Sequence, residues 1–205
     1  MAKAKTTAVV AHGAASTNPS YLEWGPVWAG ALIAVAISTI LIQFGTSVGL
    51  SMGEPMRADD TISYNFIIAG LWLLLVSIAS SAAAGYVAGR MRMTMNDANI
   101  DEIEFRDGMH GIAAWALATV AVATVTAVTG AISAALAVAA APETRELSSE
   151  MQIWAANQSV IIAFATAAGA ALGAAAAWFA AVSGGTHRHE GTSHHMVVPA
   201  LLRRK

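Results

Sequence analysis

Residues 77–90 read Ser77-Ile78-Ala79-Ser80-Ser81-Ala82-Ala83-Ala84-Gly85-Tyr86-Val87-Ala88-Gly89-Arg90, and the architecture turns on them. Ser77, Ser81, Gly85 and Gly89 recur at every fourth position, and residues spaced by four share one face of a helix. Upstream, residues 66–76 are rich in Leu and Ile; downstream, charges begin at Arg90. A helix on the surface of a water-soluble protein carries a polar stripe for its solvent face. None interrupts this run, so it reads as a membrane helix with a lipid-facing first half and a packed second half, reaching water at Arg90.

Three similar runs flank it. Together they predict an all-α, integral membrane four-helix bundle with helices over about residues 27–50, 66–89, 109–141 and 154–183. Each exceeds the ~20 residues that cross ~30 Å of hydrocarbon. Of the 205 residues 56% are hydrophobic and 12% charged, and the charges lie almost wholly outside these runs. The expected divisions are an N-terminal arm over 1–23, a membrane domain over 24–184 and a basic, histidine-containing tail over 185–205. Trp24-Gly25-Pro26-Val27-Trp28 makes a strong start for the first helix. Proline fits a first turn, where its missing N–H has no partner to lose, and tryptophan suits the headgroup level.

The segment between Arg90 and Asp107 holds three arginines and five acids, with Glu102 and Arg106 spaced to pair on a helix. It is expected to form a separate short surface helix. The net charge of -2 hides a segregation that gives orientation. Lys3 and Lys5 lie in the arm, Arg90, Arg92 and Arg106 in the middle loop, and Arg188, Arg203, Arg204 and Lys205 in the tail; the other two loops carry only Arg57 and Arg145. Because basic loops stay inside, both termini and the middle loop are expected to be cytoplasmic. The expected location is a bacterial inner membrane. The chain has no cysteine, which removes disulfides and thiolate sites. No basic patch with interleaved aromatics points to nucleic acid.

Helices in lipid associate through close approach at small residues and through interhelical hydrogen bonds. Expected packing positions are Gly45 and Gly49, which end the first helix, then Ser77, Ser81, Gly85 and Gly89, and Gly169 and Gly173 in the fourth helix. Ala127, Ala131, Ala135 and Ala139 form a weaker series of the same kind. Gly169→Leu combined with Gly173→Leu is expected to disrupt the bundle. Gln43, Asn157 and Gln158 are expected to act as interhelical hydrogen-bonding groups.

Candidate chemistry is sparse. His110, in the first turn of the third run, could ligate haem or relay a proton, but no second histidine lies inside an apolar run. A hydrogen bond to Asp107 or to backbone is the simpler reading. Tail residues His187, His189, His194 and His195 are weak metal candidates, because a glycine-rich tail fixes no geometry. Asp97, Asn99 and Asp101 open like a calcium loop, but Glu102 stands where glycine is needed and Gly108 where glutamate is needed. No charged residue lies deep in a run, as transport would require. No phosphate loop or nucleophile motif appears. The chain is expected to be non-catalytic and without a cofactor.

Trp24 to Gly30, Gly85 to Arg90 and Asp107 to Thr119 resemble segments of a family of small bacterial membrane proteins labelled "PhnA-like" or "YrzE-like". The resemblance covers about residues 24–119 and implies an inner-membrane protein, without an activity to carry over. It adds weight to an interfacial motif of Arg90, Arg106, Asp107, Gly108, His110 and Gly111. The expected role is an accessory or assembly subunit, set in the lipid bilayer and packed against a larger membrane complex or another copy of itself. The alternative is a small oligomeric channel or transporter with a path lined by Gln43, Thr119, Thr124, Thr126 and Ser133.

Overall fold

The computed structural model describes residues 21–50, 63–94, 99–140 and 149–191, with side chains over 21–50, 63–94, 99–136 and 165–191. Four α-helices account for nearly all of it: α1 (Trp24–Ser47), α2 (Tyr64–Met91), α3 (Ile100–Ala140) and α4 (Ser149–His189). There is no strand among the described residues, and all four helices are long and apolar enough to cross a membrane. Successive helices run in opposite directions. The start of α1, the end of α2, the start of α3 and the end of α4 therefore gather at one end, here the charged end. α2 and α3 touch each other and both outer helices, whereas α1 and α4 do not meet among the described residues.

Two boundaries differ from the sequence-based expectation. The charged segment is not a separate surface helix, because α3 starts at Ile100 and runs unbroken into the apolar stretch. Asn99 Oδ1 accepts the Glu102 N–H at 2.8 Å, and Asp101 and Glu102 fill the first turn. Asparagine before a first turn with glutamate at its third position is a helix-start signal, and the acids oppose the positive end of the helix dipole. Of the residues read as a failed calcium loop, Asn99 is thus the cap and Asp101 lies in the first turn, while Asp97 lies outside the described residues. Glu102 also pairs with Arg106 at 2.6 Å, as their spacing predicts. At the other end, α4 continues through Gly184 and Gly185 to His189, so the tail begins later than expected.

The end of α1 shows what Gly49 does. Its φ of +82° lies in the left-handed region that favours glycine. Leu50 N–H reaches the Gly45 carbonyl at 3.0 Å and Gly49 N–H the Thr46 carbonyl at 3.0 Å, the paired bonds of a glycine-terminated helix. Among the described residues a Cβ on Gly49 would meet nothing within 4 Å, so this glycine stops a helix and makes no close contact there. Gly45 does pack: a Cβ there would lie 2.6 Å from Trp72 Nε1, and that indole donates to the Leu41 carbonyl at 2.9 Å.

Burial concentrates at the charged end. Val27, Ala31 and Ala34 of α1, Ala84 and Ala88 of α2, and Ala114 and Ala118 of α3 form one buried cluster. The smallness of these side chains lets backbones approach: a Cβ on Gly30 would lie 2.5 Å from the Ala84 carbonyl oxygen. From residue 119 to 136, α3 is exposed at every position except the half-buried Val122. Among the described side chains, packing is therefore tight at the charged end and looser along the second half of α3.

Candidate functional site at the charged end

Gly85 and Gly89 bring α2 onto α4. A Cβ on Gly85 would overlap the Ala177 carbonyl oxygen, and one on Gly89 the Ala181 carbonyl oxygen. α3 uses the same strip, since a Cβ on Gly111 would collide with the Ala177 carbonyl and one on Gly108 would lie 2.5 Å from Trp178 Cδ2. α4 answers with Gly184 against the Tyr86 carbonyl and Gly185 against the Asp107 carboxylate. Three helices meet almost backbone to backbone, and this contact carries charged side chains from three helix ends into the interior.

Asp107 is 1% exposed, and Arg92, which caps α2, is 3% exposed. Arg92 Nε donates to Asp107 Oδ1 at 2.5 Å. Arg188, from the last turn of α4, donates through Nη2 to Oδ2 at 3.1 Å and to Oδ1 at 3.3 Å. It also donates to the Gly89 carbonyl oxygen, in the last turn of α2 where carbonyls lack helical partners. Two guanidinium groups thus share one carboxylate, and the negative end of the α2 dipole helps to offset the second positive charge. Each component compensates the desolvation of the others; alone, none would be tolerated in this interior.

His110, 1% exposed, lies one turn further along α3. Its Nε2 is 2.8 Å from the Glu23 backbone N–H, which can only donate. Its Nδ1 is 2.7 Å from the Arg106 carbonyl oxygen, which can only accept. The ring is therefore neutral, with its proton on Nδ1. This joins the residue before α1 to α3 across 87 positions. The Glu23 carboxylate accepts the Met93 N–H at 3.0 Å, so one residue ties three helix ends together. His110→Phe removes the acceptor for a half-buried N–H and is expected to cost about 1–3 kcal/mol. Faster amide exchange across residues 23–27 reports it; protection equal to that of the native chain contradicts it.

The interfacial motif read from sequence is thus largely brought together. Asp107 and His110 are its buried centre and Gly108 and Gly111 its close contacts. Arg106 is half-buried, paired with Glu102, with its guanidinium 4.1 Å from the centre of the Tyr21 ring. Arg90 is half-buried in the last turn of α2. Among the packing positions, Gly173 sits against Ser77, Ser81 and Trp115, and Ser77 Oγ donates to the Gly169 carbonyl at 3.1 Å. Gly169 itself is not a close contact, because a Cβ there would meet only Leu74 Cδ1 at 4.0 Å. Gln43 is exposed on α1 and does not join helices, while the side chains of Asn157 and Gln158 lie outside the described set. His187 Nδ1 lies 3.3 Å from the Tyr86 hydroxyl and His189 Nδ1 3.0 Å from the Gly185 carbonyl. His194 and His195 lie outside the described residues, among which no group of three metal-ligating side chains occurs.

Sequence reasoning missed Glu23, Arg92 and Arg188 as members of the site. A signal existed for Arg188: with Ala177, Ala181, Gly184 and Gly185 it continues one helical face. Fold and site together define a four-helix bundle, apolar enough for a membrane, clamped at one end by a buried Arg–Asp–Arg group and a neutral histidine. Comparison with protein-family models, curated proteins and solved structures gives no match.

Proposed function

We propose that this chain is a non-catalytic, multi-pass membrane protein that packs against a protein partner, as an accessory or assembly subunit of a larger membrane complex. The observation that carries the reading is the uncovered half of α3. Residues 119–136, about 27 Å of helix, are exposed among the described residues at every position but Val122. Their surface includes Ala121, Thr124, Ala127, Gly130, Ala131 and Ser133. Alanine, threonine and glycine are poor lipid-facing residues beside leucine or isoleucine, and helix interfaces in membranes are rich in them. At the opposite end the ring of His110 and the carboxylate of Asp107 are engaged by the protein itself, which suits a clamp better than an acid–base pair.

Both termini and the middle loop are placed on the cytoplasmic side of a bacterial inner membrane, on the distribution of basic residues. A native gel of gently solubilised membranes tests the assembly: the chain is expected to migrate in a complex larger than its 21.0 kDa monomer. Recovery as a free monomer would contradict it. The cysteine-free sequence makes orientation equally testable. A thiol reagent that cannot cross the membrane is expected to label Thr61→Cys in intact cells and to reach Ser16→Cys only after lysis; the opposite pattern inverts the topology.

A channel reading draws on Thr119 and Thr126, which line a space between the helices. Against it, Thr124 donates to the Val120 carbonyl at 2.8 Å, leaving its polarity satisfied within the helix. Ion flux through liposomes holding the purified chain would favour the channel.

A further inference from the structure

Just beyond the tight end, where the helices begin to part, lies a cavity of about 650 Å³ bounded by all four helices. That is within the range of pockets that hold a drug-sized molecule. Its walls are mainly hydrocarbon, including Ile42, Leu74 and Val122, while Thr119 and Thr166 on its margin are exposed. One corner is polar. Around the position a Cβ of Gly173 would take lie Ser81 Oγ at 2.9 Å, Ser77 Oγ at 3.0 Å and Trp115 Nε1 at 3.2 Å. Ser77 is engaged, since its hydroxyl donates to the Gly169 carbonyl. Among the described residues neither the Ser81 hydroxyl nor the Trp115 indole N–H has a hydrogen-bond partner. Two donors therefore converge, unused, in a mainly apolar space, where such groups are costly to leave unpaired.

We propose that this cavity binds an apolar, membrane-dissolved molecule of the isoprenoid quinone class, with one carbonyl oxygen accepting from Trp115 and Ser81 and the hydrocarbon body against the apolar walls. The choice of occupant rests on the membrane reading above and on depth. Counted along the helices from the Arg90, Asp107 and Arg188 level, Ser81, Ser77, Trp115 and Gly173 lie about 12–22 Å inward, near the middle of ~30 Å of hydrocarbon. The ester carbonyls of a glycerolipid are held at headgroup level and do not reach that depth. A free fatty acid would bring a carboxylate to a corner that offers no cation. A quinone carries its acceptor oxygen on the same apolar body that dissolves in the membrane.

The test uses the full chain purified in mild detergent and titrated with decylubiquinone, read by melting temperature and by quenching of tryptophan fluorescence. Decylbenzene, which has a similar tail and no carbonyl, is the comparator. The expected result is a saturable rise in melting temperature with the quinone alone. Ser81→Ala and Trp115→Phe are expected to bind about three- to tenfold more weakly, the loss of one hydrogen bond each. Gly173→Ala is expected to weaken binding, because its methyl would crowd Ser81 Oγ and Trp115 Nε1, the two donors that line the cavity. Equal binding of decylbenzene, no saturable response, or unchanged affinity in Ser81→Ala would overturn the proposal. So would a glycerolipid that co-purifies with the native chain and is displaced in Gly173→Ala. The titration of the native chain stands even if Trp115→Phe does not fold. It is also independent of the native gel: a chain that binds quinone but migrates as a monomer defeats the subunit reading and leaves this one intact.

Discussion

Asp107→Ala is expected to be the most damaging single substitution in the chain, lowering stability by about 3–5 kcal/mol. The carboxylate is the shared partner of Arg92 and Arg188, and removing it leaves two guanidinium groups facing each other in a water-poor interior. Asp107→Asn is expected to fall nearly as far, because an amide keeps the shape but not the charge. Replacing the whole group with apolar residues should recover much of the loss, since the cost comes from uncompensated charge. Asp107→Ala with Arg92→Met and Arg188→Met is accordingly expected to melt higher in detergent than Asp107→Ala alone. If Asp107→Ala melts with the native chain, the ion cluster is not what holds this end together.

Gly85→Leu with Gly89→Leu is the second large effect, at about 3 kcal/mol or more for the pair. Both glycines face carbonyl oxygens of the α4 backbone, at Ala177 and Ala181. A side-chain clash can be relieved by a rotamer change, but a clash with backbone moves a helix. Separation of α2 and α4 would also pull Arg188 from Asp107 and from the Gly89 carbonyl, so seam and cluster should fail together. Gly169→Leu is the informative comparison. Sequence predicts disruption for the pair Gly169→Leu and Gly173→Leu; Gly169→Leu alone, with its nearest neighbour at 4.0 Å, should be tolerated. A double variant no less stable than Gly169→Leu would show that the α2–α4 contact is not close packing. Thermal unfolding in detergent, followed by circular dichroism, measures all three.

The contrast between Gly85 and Gly169 shows what periodicity can and cannot reveal. Four helices were legible because run length and hydrophobicity are local properties. Small residues at every fourth position mark a face but not its distance from a neighbour, which depends on where helices converge. Gly49 read both as the end of the first helix and as one more step in such a series, and its positive φ marks it as a terminator. The start of α3 was legible in principle, in Asn99 followed by Glu102, but the charges drew the reading towards a short surface helix separate from the apolar run. His110 was correctly expected to bond backbone or Asp107. That one partner is the Glu23 N–H, 87 residues away, follows from the packing of α1 and from no local pattern. Arg188 was hidden for a related reason: basic residues near the end of an apolar run look like a solvated tail unless the run is known to continue as helix.

The spacing of the ion cluster along the chain also orders its assembly in time. Arg92 and Asp107 are fifteen residues apart, so they can pair as soon as α2 and α3 have been made, and that pair is neutral. Arg188 follows Asp107 by 81 residues, about 4–16 s of synthesis. It brings a second positive charge that is accommodated only once α4 has laid its carbonyls along Gly85 and Gly89. The last turn of the last helix thus adds a final strap: the glycine seam sets α4 on the neutral α2–α3 hairpin, and Arg188 then ties it to Asp107 and to the Gly89 carbonyl.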